Sequence, residues 1–308
     1  MKDGRILITG GCGFVGTNLV ALLIEKGLSH LTIVVDRVLR WRLSGHLTTP
    51  KGIEFLELDI RSSGFAKALA KIKPATVVHL AGIHYIPYCN EHSSEAWSVN
   101  VKGTQSVLDA AVACGVERFF LASTAAVYQS SSKPHAEADK LGPMDLYGLC
   151  KLTNERQVSG AAARSRCEFA IGRIFNAVGA YETNPHLIPD ILERLKSGRR
   201  IEVGNAESKR DYVHVKDVSS AILRMVFNLH SQIDVCNIGT GTSWSALEVV
   251  QVLSSLLGDK VECVPSERHR RRIDRPVLTA DIRKIKRDYG WAPEYTFEQA
   301  LRDALKHA

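Results

Sequence analysis

The stretch Arg5-Ile6-Leu7-Ile8-Thr9-Gly10-Gly11-Cys12-Gly13-Phe14-Val15-Gly16 decides how this chain is read. Its opening is a short, β-rich apolar run, too short for a helix. Three glycines at three-residue spacing follow, and Thr17 to Lys26 reads as a helix. A buried strand, a glycine turn and a helix N-terminus form a phosphate cradle, where free N–H groups and the positive end of the helix dipole face an anion. Gly10 permits the sharp turn. Gly13 lets the backbone approach a pyrophosphate, and Gly16 lets the helix pack close to the strand.

A second signal lies downstream. Leu31-Thr32-Ile33-Val34-Val35 reads as another buried strand and ends in Asp36, twenty positions after Gly16. A carboxylate there accepts from adenosine ribose hydroxyls and repels a 2′-phosphate, which favours NAD over NADP. Arg37 follows directly, and its guanidinium works the other way.

Strands and helices then alternate, which implies an α/β, doubly wound parallel (Rossmann-type) sheet. Strands are expected at 53–58, 76–80, 118–121 and 168–174, and helices at 65–72, 95–114 and 145–163. Asp59-Ile60 closes the third strand, where an Asp can accept from an adenine amine. Leu80-Ala81-Gly82 follows the fourth, small enough for a cofactor to lie against the backbone. After Phe175-Asn176 the rhythm loosens. A helix at 215–229, a returning strand at 235–238, a Ser-capped amphipathic helix at 243–257 and a last helix from Phe297 are expected. The domain assignment is 1–174 for the dinucleotide-binding domain, with 205–240 returning to it. A smaller mixed α/β substrate domain takes 175–204 and 241–308.

The 308 residues carry 45% hydrophobic and 24% charged residues, enough to bury a large core. No apolar run approaches the roughly 20 residues of a membrane span. Lys2-Asp3-Gly4 leads straight into the first strand, so the cytoplasm is the expected compartment. Seven cysteines stand singly, with no Cys-x-x-Cys, so neither zinc nor a disulfide framework is indicated and no metal is expected. The net charge of +7 owes much to Arg268-His269-Arg270-Arg271-Arg272 and Arg275. No aromatics interleave that run, which argues against nucleic acid. A solvated loop and the capture of an anionic small molecule both remain open.

Two stretches carry chemistry. Ser123-Thr124 ends the fifth strand, where doubly wound sheets place their sites. Tyr147-Gly148-Leu149-Cys150-Lys151 puts a phenol and an ammonium on one helix face. A free phenol has a pKa near 10, and a neighbouring positive charge pulls it toward working pH.

With these residues in view, the chain resembles the extended short-chain dehydrogenase/reductases, in particular the NAD-dependent nucleotide-sugar epimerase/dehydratase family and its 4-epimerase members. The resemblance rests on Thr9 to Gly16, Leu80-Ala81-Gly82, Ser123 to Tyr128, Arg173-Ile174-Phe175-Asn176-Ala177-Val178-Gly179, and Arg210 to Val218. It implies cofactor contacts from Gly10, Gly13, Phe14, Val15, Gly16, Asp36, Arg37, Asp59, Ile60, Leu80, Ala81, Gly82, His84, Asn100, Ser123, Phe175 and Ala177. Tyr147 is the implied acid–base, Lys151 its partner and a ribose ligand, and Thr124 the proton relay, with Ser123 beside it. Asn176, Arg210 and Arg271 are implied diphosphate ligands, Asp274 a ribose ligand, and His186 and Val203 stand near the base and diphosphate.

The resemblance implies NAD-dependent epimerisation of a nucleotide-diphosphate sugar at C4 through a 4-keto intermediate, by a homodimer formed through the helices at 95–114 and 145–163. A 4-ketoreductase or dehydrogenase with exchangeable NAD(P) is the nearest rival, and a non-catalytic dinucleotide sensor a distant one. Members that eliminate water carry an Asp-Glu pair where this chain has Ala125-Ala126, which counts against 4,6-dehydration. Asp211 and Asp217 are expected as capping or ion-pair residues, His214 as a core histidine, and Trp41, Trp97, Trp244 and Trp291 as packing residues.

Overall fold

The computed structural model describes residues 4–38, 50–182, 184–267 and 274–307. Trp41, Arg271 and the rest of the basic run 268–272 lie outside the described residues. In chain order the first half comprises β1 (Ile6–Thr9), α1 (Phe14–Glu25), β2 (Thr32–Asp36), β3 (Glu54–Glu57), α2 (Ser63–Ile72), β4 (Thr76–His79), α3 (Ile86–Glu91), α4 (Ser93–Trp97), α5 (Thr104–Ala113), β5 (Arg118–Thr124), α6 (Leu146–Ala162) and β6 (Glu168–Ile174). The second half comprises β7 (Asn176–Val178), α7 (Leu187–Leu195), β8 (Arg200–Val203), β9 (Lys209–His214), α8 (Val215–Phe227), β10 (Ile233–Ile238), β11 (Ser243–Trp244), α9 (Ala246–Leu257), β12 (Glu262–Pro265), β13 (Val277–Leu278), α10 (Arg283–Tyr289) and α11 (Phe297–Lys306).

The large sheet runs β10-β6-β5-β4-β1-β2-β3. β1 pairs parallel with β2 on one side and β4 on the other. The winding therefore reverses between β1 and β4, the place where such sheets bind ligands beyond their strand ends. β1, β2 and β4 are buried along almost their whole length, as a sheet covered on both faces requires. Phe119, Phe120 and Phe169 on β5 and β6 are fully buried, each contributing about 1.5–3 kcal/mol.

The helix expected at 95–114 is not continuous. Its middle, Ser98–Gly103, is wound as a π-helix between α4 and α5. The wider turn frees the Asn100 carbonyl for partners outside the ladder: it accepts from Thr104 Oγ1 at 2.6 Å and from Asn154 Nδ2 of α6 at 2.8 Å. Gly115 ends α5 at φ 71°, the left-handed stop the sequence suggests. α6 is capped by Asp145, whose carboxylate accepts from Gly148 N at 2.8 Å.

The described chain divides into two compact units. The first takes 1–127, 143–173 and 219–236, and the second takes 128–142, 174–218 and 237–308. The limits differ from the domain assignment made on sequence. Residues 205–218 stay with the second unit because β9 is the centre of that unit's own sheet, pairing with β7, β11 and β13. The second unit's core gathers Ile191, Ile201, Val249, Leu253 and Leu301 from α7, β8, α9 and α11. α9 carries a full capping box, Ser245 with Glu248. Among the described residues no helix is long and apolar enough to cross a membrane.

Candidate active site

α1 starts at Phe14, three residues ahead of expectation, because the glycine turn itself feeds the helix. Its N-cap is Gly13, with no side-chain acceptor and no acidic residue in the first turn. That leaves the helix N-terminus to an external anion, which is the fit a pyrophosphate needs. Gly10 sits at φ 71°, and a Cβ there would lie 2.6 Å from Ala81 N, so only glycine brings the ends of β1 and β4 together. Asp36 accepts from Cys12 N at 3.0 Å and Arg37 N at 2.8 Å, which fixes its carboxylate at the tip of β2.

The two residues expected at the adenine are held within the first unit. The Asp59 carboxylate is engaged by Arg61, whose Nη2 lies 2.5 Å from Oδ2, and this ion pair holds its carboxyl below the usual range. Ile60 is 6% exposed and packs in the first unit's core. Arg37 is exposed and pairs with Glu95 at 3.6 Å.

Tyr147 and Lys151 lie one turn apart on α6, with Lys151 Nζ 6.0 Å from the phenol ring centroid. The Tyr147 phenol is hydrogen-bonded to Thr124, at the end of β5. Burial pushes the phenol well above its ordinary pKa, and the bond to Thr124 pulls the other way. Against that burial, the Lys151 ammonium would act together with the positive nicotinamide ring of a bound cofactor, as the sequence suggests. Lys151 is itself desolvated, and burial lowers its pKa to about 8. Its Nζ stands beside Gly82 after β4, where a Cβ would approach it to 3.5 Å. Among the described residues no protein group accepts a hydrogen bond from this buried ammonium, which suits a cofactor ribose hydroxyl.

Asn100 braces the same loop. Its Oδ1 accepts from Ile83 N at 2.8 Å and its Nδ2 donates to Ile83 O at 2.9 Å, so its amide shapes the path beyond Gly82 rather than facing outward. Leu80, Ala81 and His84 flank that path, each half-buried. Beneath it, His79 bridges Thr9 Oγ1 at 2.7 Å and Thr104 Oγ1 at 2.9 Å. Thr104 already donates to Asn100 O, so His79 carries its proton on Nε2 and accepts from Thr9 on Nδ1. The sequence reading assigned no role to His79, because a histidine in a strand gives no signal of its partners.

Ser123 does not face outward. It is 2% exposed, and its hydroxyl donates to Glu155 Oε1 at 2.5 Å. Glu155 and its partner Arg173 are functional candidates that the sequence reading missed. The signal was present: Glu155 stands four residues after Lys151 on the same helix face.

In the second unit, Arg210 and Asp274, expected to take separate parts of the substrate, are ion-paired with each other. Arg210 Nη1 also donates to Lys209 O and Arg275 O. Asn176 is exposed on β7, Ala177 is half-buried beside it, and His186 is the N-cap residue of α7. Phe175 and Val203 are each 4% exposed, so their side chains are largely covered by the unit itself. Asp211 is cradled by Thr240, Gly241 and Ala280 amides, and Asp217 by those of Glu294 and Tyr295. His214 is buried against Tyr295, as expected of a core histidine. Trp244 and Trp291 pack, whereas Trp97 is 37% exposed.

Known proteins are similar to this chain over its whole length. A UDP-glucose 4-epimerase of Streptomyces lividans is 29% identical, the match covering 98% of this chain and 95% of that protein. A UDP-glucose 4-epimerase of Brucella ovis, solved in complex with NAD, superposes with a TM-score of 0.88 at 28% identity, covering 99% of this chain and 98% of the other. MoeE5, solved in complex with UDP-glucose and NAD, gives 0.88 at 28% identity, with 98% of each chain covered. Residues 6–239 match the profile of the NAD dependent epimerase/dehydratase family. With this likeness running through both units, the chain belongs to the NAD-dependent epimerase/dehydratase family, with NAD as its cofactor.

Proposed function

We propose that the protein epimerises a nucleotide-diphosphate sugar at C4 through a 4-keto intermediate. The observation that carries this reading is the Thr124–Tyr147–Lys151 cluster beside Gly82. Bound NAD supplies a reversible hydride acceptor and a positive ring. Gly13 and the α1 N-terminus hold its pyrophosphate, Asp36 its adenosine ribose, and Lys151 its other ribose. Thr124 receives the C4 hydroxyl proton and passes it to the Tyr147 phenolate, and the same path returns it. Raised by burial, the phenol depends on the charges of Lys151 and the cofactor to lose its proton.

Arg210, Arg271 and Asn176 hold the diphosphate, about which the 4-keto sugar turns; Asp274 takes the nucleotide ribose, and His186 and Val203 serve the base and diphosphate. Arg210 exchanges Asp274 for phosphate oxygens, since its fork matches either acceptor. The relatives' UDP-sugars point to a uridine diphosphate sugar. Ala125 and Ala126 are buried, 2% and 7% exposed, and offer no acid–base pair for C5–C6 elimination. A second copy covers the exposed Leu149 of α6 and Trp97, giving a homodimer. Seven free thiols suit the reducing cytoplasm.

The test is incubation with UDP-, dTDP-, GDP- and CDP-sugars without added cofactor, reading product stereochemistry. C4-inverted product with no added NAD supports the reading. Turnover only with stoichiometric NAD(P) assigns a net oxidoreductase instead.

A further inference from the structure

Glu155 and Arg173 form a buried ion pair inside the first unit, their side chains 7% and 5% exposed. Arg173 Nε donates to Glu155 Oε1 at 3.0 Å and Nη2 to Oε2 at 2.8 Å, a two-pronged grip on the carboxylate. Oε1 also accepts the Ser123 hydroxyl at 2.5 Å. Two buried charges are an expensive way to hold a helix against a sheet, since apolar packing of the same volume does it as well or better. What such a pair adds is a fixed geometry, and its location shows where that geometry matters.

Glu155 lies on α6 eight residues after Tyr147 and four after Lys151, on one helix face. Ser123 lies on β5 immediately before Thr124. One carboxylate therefore ties together the two elements that carry the hydrogen-bonded pair Thr124 and Tyr147. Thr124 is also held from the other side, since its Oγ1 accepts from Ala126 N at 3.2 Å.

We propose that Glu155, gripped by Arg173, is a positioning residue that acts through Ser123 to set Thr124 against Tyr147. The inference rests on the acid–base reading of Thr124 and Tyr147 given above. Without the tie, the end of β5 is free to shift relative to α6 and the proton relay lengthens. A misplacement of about 1 Å is enough to cost up to ~100-fold in rate.

The decisive variant is Ser123→Ala in the NAD-loaded full chain, with Ser123→Thr as the conservative rescue and Glu155→Gln in parallel. Ser123→Ala removes one atom and retains NAD, so loss of fold is not expected. It should lower kcat about 10-fold to 100-fold with KM little changed, and Ser123→Thr should recover most of the loss. The Tyr147 phenol, read by ultraviolet titration as the difference from the same protein carrying Tyr147→Phe, should titrate at higher pH in Ser123→Ala, because the bond from Thr124 is weakened. Wild-type kcat together with an unmoved phenol titration in Ser123→Ala overturns the proposal. If the wild-type protein converts no nucleotide sugar, the epimerase reading fails, and the phenol titration alone then decides the positioning role.

Discussion

Lys151 Nζ lies 6.0 Å from the centre of the Tyr147 ring, while the Tyr147 phenol is hydrogen-bonded to Thr124. The phenol thus touches a hydroxyl, and the ammonium acts on it from a distance. General acid–base catalysis by a positioned side chain is worth about 10²–10⁴-fold. Tyr147→Phe should lose that much kcat and still purify with NAD, since the glycine turn and Asp36 are untouched. Lys151→Met should lose activity too, and should also weaken NAD retention. Cofactor content after heat extraction, measured beside kcat, separates the two effects.

The glycine turn makes a sharper prediction. A Cβ at Gly16 would lie 2.4 Å from Gly10 O and 2.6 Å from Gly11 Cα, both backbone atoms that cannot yield. At Gly13 the nearest neighbour is Gly10 O at 3.2 Å, and φ is an ordinary −76°. Gly16→Ala should therefore destabilise the fold by about 1–3 kcal/mol or more. Gly13→Ala should melt near the wild-type temperature yet lose NAD. A Gly13→Ala protein with full NAD content would remove Gly13 from the cofactor site.

These glycines were legible in sequence because turn geometry and close approach restrict residue choice at single positions. The positions of the first unit's strands were legible for the same kind of reason, as buried parallel strands such as Thr32–Asp36 read as unbroken apolar runs. The break in the helix at 95–114 was not, since a π-turn is written in where Asn154 and Ile83 find partners, not in periodicity. Nor was the pairing of Arg210 with Asp274, or of Glu155 with Arg173. Residue type announces that a charge wants a partner, and only the tertiary structure chooses which.

Buried His79 predicts acid lability. Burial, with Lys151 nearby, lowers its pKa from 6.5 to about 3. Below pH 6.5 the unfolded chain binds a proton that the folded one refuses, so stability falls as pH falls from 6.5 toward 3, by about 1.4 kcal/mol per unit. Denaturant midpoints between pH 7 and pH 4.5 should show this loss. His79→Gln should be less stable at pH 7 but shallower in slope by one proton. Equal slopes in the two proteins would mean that His79 is already protonated in the fold.

Arg210 Nη1 is anchored by two carbonyls, while Nη2 is paired with Asp274, the carboxylate it would exchange for a phosphate oxygen. Hydrogen bonds to charged groups are worth about 1.5–3 kcal/mol, or roughly 10-fold to 100-fold in binding. With the proposed role of holding the diphosphate and not C4, Arg210→Ala should raise KM for the nucleotide sugar by that factor and leave kcat within a few-fold. Arg210→Lys should rescue little, as an ammonium lacks the planar fork. A fall in kcat with unchanged KM would take Arg210 out of diphosphate binding.

Asp36 and Arg37 make opposing demands on the adenosine end. The Asp36 carboxylate is pinned by Cys12 N and Arg37 N, so a 2′-phosphate would meet a negative charge that cannot turn away. Like charges in such contact cost several kcal/mol, which accounts for a preference for NAD. Arg37 is exposed, and its pair with Glu95 at 3.6 Å is of the solvent-screened kind worth about 0–1 kcal/mol. It is therefore free to swing to a phosphate once the repulsion is gone. Asp36→Ser should admit NADP, measured as the Kd ratio of NADP to NAD on stripped protein, lowering it at least about 10-fold. Adding Arg37→Ser should reverse that gain. If Asp36→Ser rejects NADP as firmly as the wild type, the discrimination resides in the walls of the ribose pocket and not in this carboxylate.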